Sequence, residues 1–140
     1  MKNILINIEK ESYKNIPKLK IFYDWIKYFK NKNFIKINIK IVDIKKIKYL
    51  NKKYKKKNKE TNVLTFNLNF NKDKNIIGDI IFCYSIIKKE AKILKKPIIE
   101  HWKHLTIHSI LHLKGYSHNV IKKTLKMEII EEKMLFNKKK

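Results

Sequence analysis

The sequence predicts an α/β (α+β) single domain in which a small, mostly parallel sheet packs with about five helices. Three observations predict it. Short apolar runs at period two alternate along the chain with longer stretches at helical period. A later run, Ile80, Ile81, Phe82 and Cys83, is almost continuously apolar, as strands covered on both faces are. Hydrophobic residues make up 44% of 140 positions, enough for one core, and no repeat or low-complexity linker divides residues 1–140.

Residues 4–8 open the chain with an apolar run read as a strand. Pro17 suits the first turn of a helix, and Leu19, Phe22, Trp25, Ile26 and Phe29 recur at helical spacing up to the Asn-rich break at 31–33. Ile35, Ile37, Ile39 and Ile41 then alternate with Lys36, Asn38 and Lys40, which places β-branched residues on one face of a strand. Asp43 caps a helix whose inner face carries Ile44, Ile47, Leu50 and Tyr54. A basic stretch, 54–60, leads to a strand at Val63, Leu64 and Phe66, and polar residues 67–75 connect it to Gly78 and Asp79, which introduce the apolar strand. Ser85 caps a short helix through Ile86, Ile87, Ala91 and Leu94. Pro97 opens the next helix, anchored by Trp102, Leu105 and Leu113; a last helix covers about 120–136, before a lysine tail.

No apolar run approaches the roughly 18 to 20 residues of a membrane span. The early patch Ile4, Leu5, Ile6 is broken by Asn7 and Glu9 too soon for a signal-peptide core, so the expected location is the cytoplasm, with no membrane partner. Cys83, the single cysteine, forms no intramolecular disulfide and reads as a small core residue. The formal charge is +23, and all 35 basic residues are lysines amid abundant Asn and Ile, the pattern that A- and T-rich codons produce. Such a chain attracts polyanions with salt-sensitive affinity, but the charge alone does not select RNA.

The chemistry gathers in HLTIHSILHLKGYSH, residues 104–118. On a helix ending at Lys114, His108 and His112 share a face, about 40° apart round the axis and roughly 6 Å along it. Gly115 permits the left-handed turn that commonly ends a helix and lets the chain bring His118 towards the pair. Three neutral imidazoles with an open fourth position make a catalytic zinc-type site, although such ligands also suit nickel, copper or iron. The spacing equals that of metzincin proteases, H-E-x-x-H-x-x-G-x-x-H, but Ser109 occupies the place of their glutamate base. A serine does not take up a proton at neutral pH, so a metallopeptidase is disfavoured. His101 and His104 read as partly exposed imidazoles lining a groove, His104 having a supporting role behind His108 as its alternative. Asp79, an acid from another segment, reads as a turn or cap residue rather than the base.

Several motifs occur in series: L-N-x-x-Y (Leu50, Asn51, Tyr54), T-N-V-L-T-F (61–66), G-D-I (78–80), E-A (Glu90, Ala91) and the closing H-x-x-x-H-x-x-x-x-x-H. Together they resemble the YbeY family, single-domain bacterial endoribonucleases of ribosomal RNA maturation, over about 50–118. The resemblance implies a four-stranded sheet and one zinc ion (Zn2+) per chain on His108, His112 and His118. It also implies cleavage of single-stranded RNA in maturing small-subunit ribosomal RNA, and a part in quality control of the small ribosomal subunit, its partner. Family members carry an arginine directly after the motif tyrosine, thought to matter for RNA cleavage. Lys55 holds that position here and is the candidate catalytic residue, with the charge but without the bidentate fork. Lys52, Lys53, Lys56 and Lys57 would hold the phosphate backbone beside it. Asn58 and Ser117 stand where the family tends to have aspartate, and the second loses a carboxylate that would orient His118. The alternative to an endoribonuclease, besides the peptidase, is a ribosome-assembly binding factor with mainly structural zinc.

Overall fold

The computed structural model describes residues 3–10, 15–29, 34–71 and 73–115. Expectations for the break at 31–33, for Ser117 and His118, for the helix over 120–136 and for the lysine tail lie outside the described residues. In chain order the elements are β1 (Ile4–Lys10), α1 (Leu19–Ile26), a 3-10 turn (Lys27–Phe29), β2 (Ile35–Val42), α2 (Ile44–Lys55), β3 (Val63–Asn67), β4 (Ile76–Cys83), α3 (Tyr84–Ile93) and α4 (Ile98–Leu113). The strands form one sheet in the order β1-β2-β4-β3. β1 and β4 flank β2 in parallel, and β3 pairs antiparallel with β4 at the edge. This is the mostly parallel four-stranded sheet expected, with four α-helices among the described residues.

Alternation along β2 assigns the layers. Ile35, Ile37, Ile39 and Ile41 are buried in one cluster with Phe22, Trp25 and Ile26 of α1 and with Trp102, Leu105 and Ile110 of α4. At its centre Trp102 meets Phe82 and Phe22 edge-on, with ring centres 5.0 and 6.1 Å apart. The opposite face, over β3 and β4, buries Ile47 of α2 with Leu64, Ile81 and Cys83, and Leu50 and Phe66 pack against them. Thus α2 and α4 lie on opposite sides of the sheet.

Several local expectations are corrected. β4 starts at Ile76, so Gly78 is a residue of the strand interior and Asp79 is neither turn nor cap. Pro17 precedes Lys18, the N-cap of α1, instead of entering its first turn. Leu19 and Leu94 are exposed at the helix ends, as are Ile44 and Tyr54, so the buried apolar stripe of α2 narrows to Ile47 flanked by half-buried Leu50. Tyr54 instead packs edge-on against Phe66 at the rim, with ring centres 5.5 Å apart. Asp43 does cap α2, accepting the Lys46 N–H at 2.8 Å. Ser85 does not cap α3, because β4 runs into that helix without a loop and buried Cys83 takes the N-cap position. Among the described residues no helix is long and apolar enough to cross a membrane.

Candidate metal centre

The inward face of α4 carries Trp102, Leu105, Thr106, Ser109, Ile110 and Leu113, all buried. Its two hydroxyls are satisfied on the helix itself: Thr106 Oγ1 donates to the Trp102 carbonyl at 2.8 Å and Ser109 Oγ to the Leu105 carbonyl at 2.7 Å. Position 109, where a metzincin keeps its base, is therefore turned into the core. His104, His108 and His112 recur every fourth residue along the flank of this face, the first two half-buried and His112 exposed. The ring centres of His108 and His112 are 6.0 Å apart, tilted by 45°. Two imidazoles each about 2 Å from a shared ion hold their ring centres roughly 5 to 6 Å apart, so this pair fits two positions of one metal ion.

The helix ends as the spacing predicts. Lys114 N–H bonds the Ile110 carbonyl at 3.0 Å, Gly115 N–H bonds the His112 carbonyl at 3.0 Å, and Gly115 has φ of +93°. Among the described residues a Cβ on Gly115 would meet nothing within 4 Å, and its φ of +93° by itself favours glycine. No three His, Cys, Asp or Glu side chains among the described residues form a group that could hold a metal ion. The third expected ligand, His118, lies outside the described residues.

His101 is not a groove residue. It is buried, with Nε2 2.9 Å from Glu90 Oε1, and the same carboxylate oxygen accepts from Asn62 Nδ2 at 3.0 Å. The T-N and E-A motifs thus tie the start of β3, α3 and α4 together, a role that neighbouring residues in sequence do not reveal. His104 stacks nearly parallel to His101 at 6.4 Å. Burial, first, and then the neighbouring Lys96 and His101 lower its pKa below the ordinary imidazole value. Asp79 accepts from Asn38 Nδ2 at 3.0 Å in mid-sheet, on the face alternate to that of Gly78 and Leu113.

Lys55 is the last residue of α2 rather than part of a loop; Lys56, with φ of +61°, ends the helix in the left-handed region without the glycine that would have marked the boundary. The exposed ammonium of Lys55 sits 4.9 Å from the centre of the Phe66 ring. It therefore reaches β3 from the side of the sheet opposite to α4. Lys53 lies 5.7 Å from the Tyr49 ring and 5.3 Å from the Tyr54 ring, and these phenols raise its pKa above the usual lysine range. Lys52, Lys56, Lys57 and Asn58 are exposed around them. Asn51 of the L-N motif is buried and shapes this basic turn, its Nδ2 donating to the Lys59 carbonyl at 2.9 Å and its own carbonyl accepting from Lys57 N–H at 3.2 Å.

Comparison with known proteins finds relatives over most of the chain. The sequence profile of the family described as Endoribonuclease YbeY matches residues 3–139. Proteins named Endoribonuclease YbeY from two subspecies of Buchnera aphidicola, those of Cinara cedri and of Schizaphis graminum, are 50% and 44% identical to the chain; the matches cover 93% and 95% of it and 88% of each relative. The protein of that name from Nitrosomonas eutropha is 36% identical over 86% of the chain and 84% of its own length. A protein of Thermotoga maritima whose structure was solved in solution shares the fold, with a TM-score of 0.61 over 88% of this chain and 85% of the other at 24% identity.

Proposed function

Given that the chain belongs to the Endoribonuclease YbeY family, we propose that it is a zinc-dependent endoribonuclease acting on single-stranded ribosomal RNA in the cytoplasm, in the maturation and quality control of the small ribosomal subunit. One observation supports this most: His108 and His112 face each other at 6.0 Å on the last turns of α4, and Gly115 turns the chain just before His118. Three imidazoles in their neutral form would hold the ion, each through a ring-nitrogen lone pair. Zinc on such ligands supplies a Lewis acid and a water activated at neutral pH. Lys55, with Lys52, Lys53, Lys56 and Lys57, would hold the phosphate backbone and offset the charge that develops on the cleaved phosphate. Ser109, bonded to the Leu105 carbonyl, takes no part, and this argues against peptide hydrolysis.

The binding-factor reading keeps one observation in its favour. Lys55 lacks the fork of arginine and already lies against Phe66. Zinc-loaded protein incubated with structured RNA and with casein separates the readings, His112→Ala being the control. Cut RNA, intact casein and an inactive variant are expected. Zinc-loaded protein that binds RNA without cutting it would make the binding factor the better reading, and cut casein would restore the peptidase.

A further inference from the structure

Between β3 and β4 the chain carries Leu68, Asn69, Phe70, Asn71, Asp73, Lys74 and Asn75 on a short connection. Phe70 is 87% exposed, more than any other large hydrophobic residue among the described ones. It stands on a fixed support. Asn67 Oδ1 accepts from the Asn69 N–H at 2.9 Å, and Asn69 Oδ1 accepts from the Asn71 N–H at 3.1 Å. Asn69 Nδ2 donates to Asp73 Oδ1 and to the Asn75 carbonyl, both at 2.7 Å, and Asp73 Oδ1 accepts from the Asn75 N–H at 3.0 Å. Asn75 in turn accepts the Phe34 N–H at 2.8 Å, which anchors the connection to the start of β2. Polar side chains that bond one another and the backbone brace both sides of Phe70, while its ring forgoes the stabilisation that burial would bring.

We infer that Phe70 is a stacking post for an unpaired base of the RNA strand, acting on the same strand whose phosphate Lys55 holds. The inference rests on the part of the proposed function by which the protein binds single-stranded RNA. Phe66, beneath the Lys55 ammonium, and Phe70 are four residues apart, which places their Cα atoms within about 14 Å of each other whatever path the chain takes between them. Phe66 stands one residue before the end of β3 and Phe70 three beyond it, and the intervening Asn67 pairs with Gly78, on which Leu113, the last residue of α4, packs. A net charge of +23 favours a polyanionic occupant over a basic or neutral protein surface. An unpaired base presents the π-face that a lone, pre-set phenyl ring can cover without reading its identity, whereas bases of a duplex are hidden in their own stack.

The test uses full-length protein and a short oligouridylate, beside an abasic strand of equal length and a duplex. Phe70→Ala should weaken oligouridylate binding about tenfold and leave the salt slope and the abasic strand unaffected; Phe70→Tyr should bind like the parent. In Phe70→Trp the new indole is exposed while Trp25 and Trp102 are buried, so oligouridylate, and neither of the other two probes, should quench it. Equal losses with the abasic strand, or Phe70→Ala binding like the parent, would overturn the inference. So would a Phe70→Ala variant that loses only its co-sedimentation with ribosomal subunits, because the ring would then meet a protein or ribosome surface. Stacking by a parent that cuts no RNA would sink the proposed activity and leave this inference standing.

Discussion

Leu113 closes over Gly78: a Cβ built on that glycine lies 2.8 Å from Leu113 Cδ2 and 2.6 Å from the Phe66 carbonyl oxygen. The last turn of α4, with His112 on it, is thus seated at a depth that only a missing side chain permits. Gly78→Ala is expected to cost about 1 to 3 kcal/mol of stability through overpacking and to weaken zinc binding by tilting that turn. Urea denaturation and a zinc titration read both. A variant with parental values in each would show that α4 has room to spare.

Gly115 is a different case, because no described residue crowds it and its φ of +93° is what disfavours other residues. Gly115→Val should reduce zinc affinity by misdirecting the chain towards His118, while far-UV circular dichroism stays near parental. Gly115→Asn, which tolerates a left-handed backbone, should lose less. Equal zinc affinity in all three proteins would mean that His118 does not depend on this turn.

For Lys55 the measurement is single-turnover cleavage at saturating RNA. Lys55→Ala is expected to slow the cleavage step, and Lys55→Arg to equal or exceed the parent because a guanidinium grips phosphate through two bonds. Lys20→Ala, an exposed lysine of α1, is the control for charge alone. Indistinguishable rates for Lys55→Ala and Lys20→Ala would leave Lys55 as one basic residue among 35 and favour the binding factor.

Acid should destabilise the metal-free fold through His104. In the unfolded chain this residue takes up a proton as pH falls through about 6.5, whereas in the fold it resists until a lower pH. The unfolded state therefore binds more protons in that window, and the stability present above it declines as pH drops towards the folded value. His104→Gln should flatten this decline in urea midpoints recorded with chelator between roughly pH 8 and 5. Parallel curves for parent and variant would assign the acid sensitivity elsewhere.

The layers were legible because period-two isoleucines in β2 and the unbroken apolar run in β4 follow from burial on one face or two. The placing of His108 and His112 on one face was legible for a similar reason, since helical spacing decides which side chains lie together. Boundaries were not. Gly78 reads as a turn in one dimension and is a contact in three, and Lys56 ends a helix in a conformation that favours glycine or asparagine. Nor does spacing report the side of the sheet on which an element lands. Lys55 follows Tyr54 in the motif, yet it meets Phe66 across the sheet from α4, and Asn62, Glu90 and His101 join only after three elements have packed.

The asparagine-braced connection after β3 also bears on how the chain acquires its fold. Parallel pairing of β2 with β4 must bring Ile35 to Ile76, whereas the hairpin brings Asn67 to Gly78 across that short connection, so the hairpin closes with far less loss of chain entropy and should form first. Asn69→Ala, which removes the donor to Asp73 and to the Asn75 carbonyl, is expected to slow refolding more than it speeds unfolding in stopped-flow chevrons; the reverse partition would place the nucleus elsewhere. During synthesis β2 leaves the ribosome before β4 exists to cover it. Its four inward isoleucines then have α1 but not yet α4 to cover them, and Lys36 and Lys40 between them keep the open edge of the nascent strand from pairing with others.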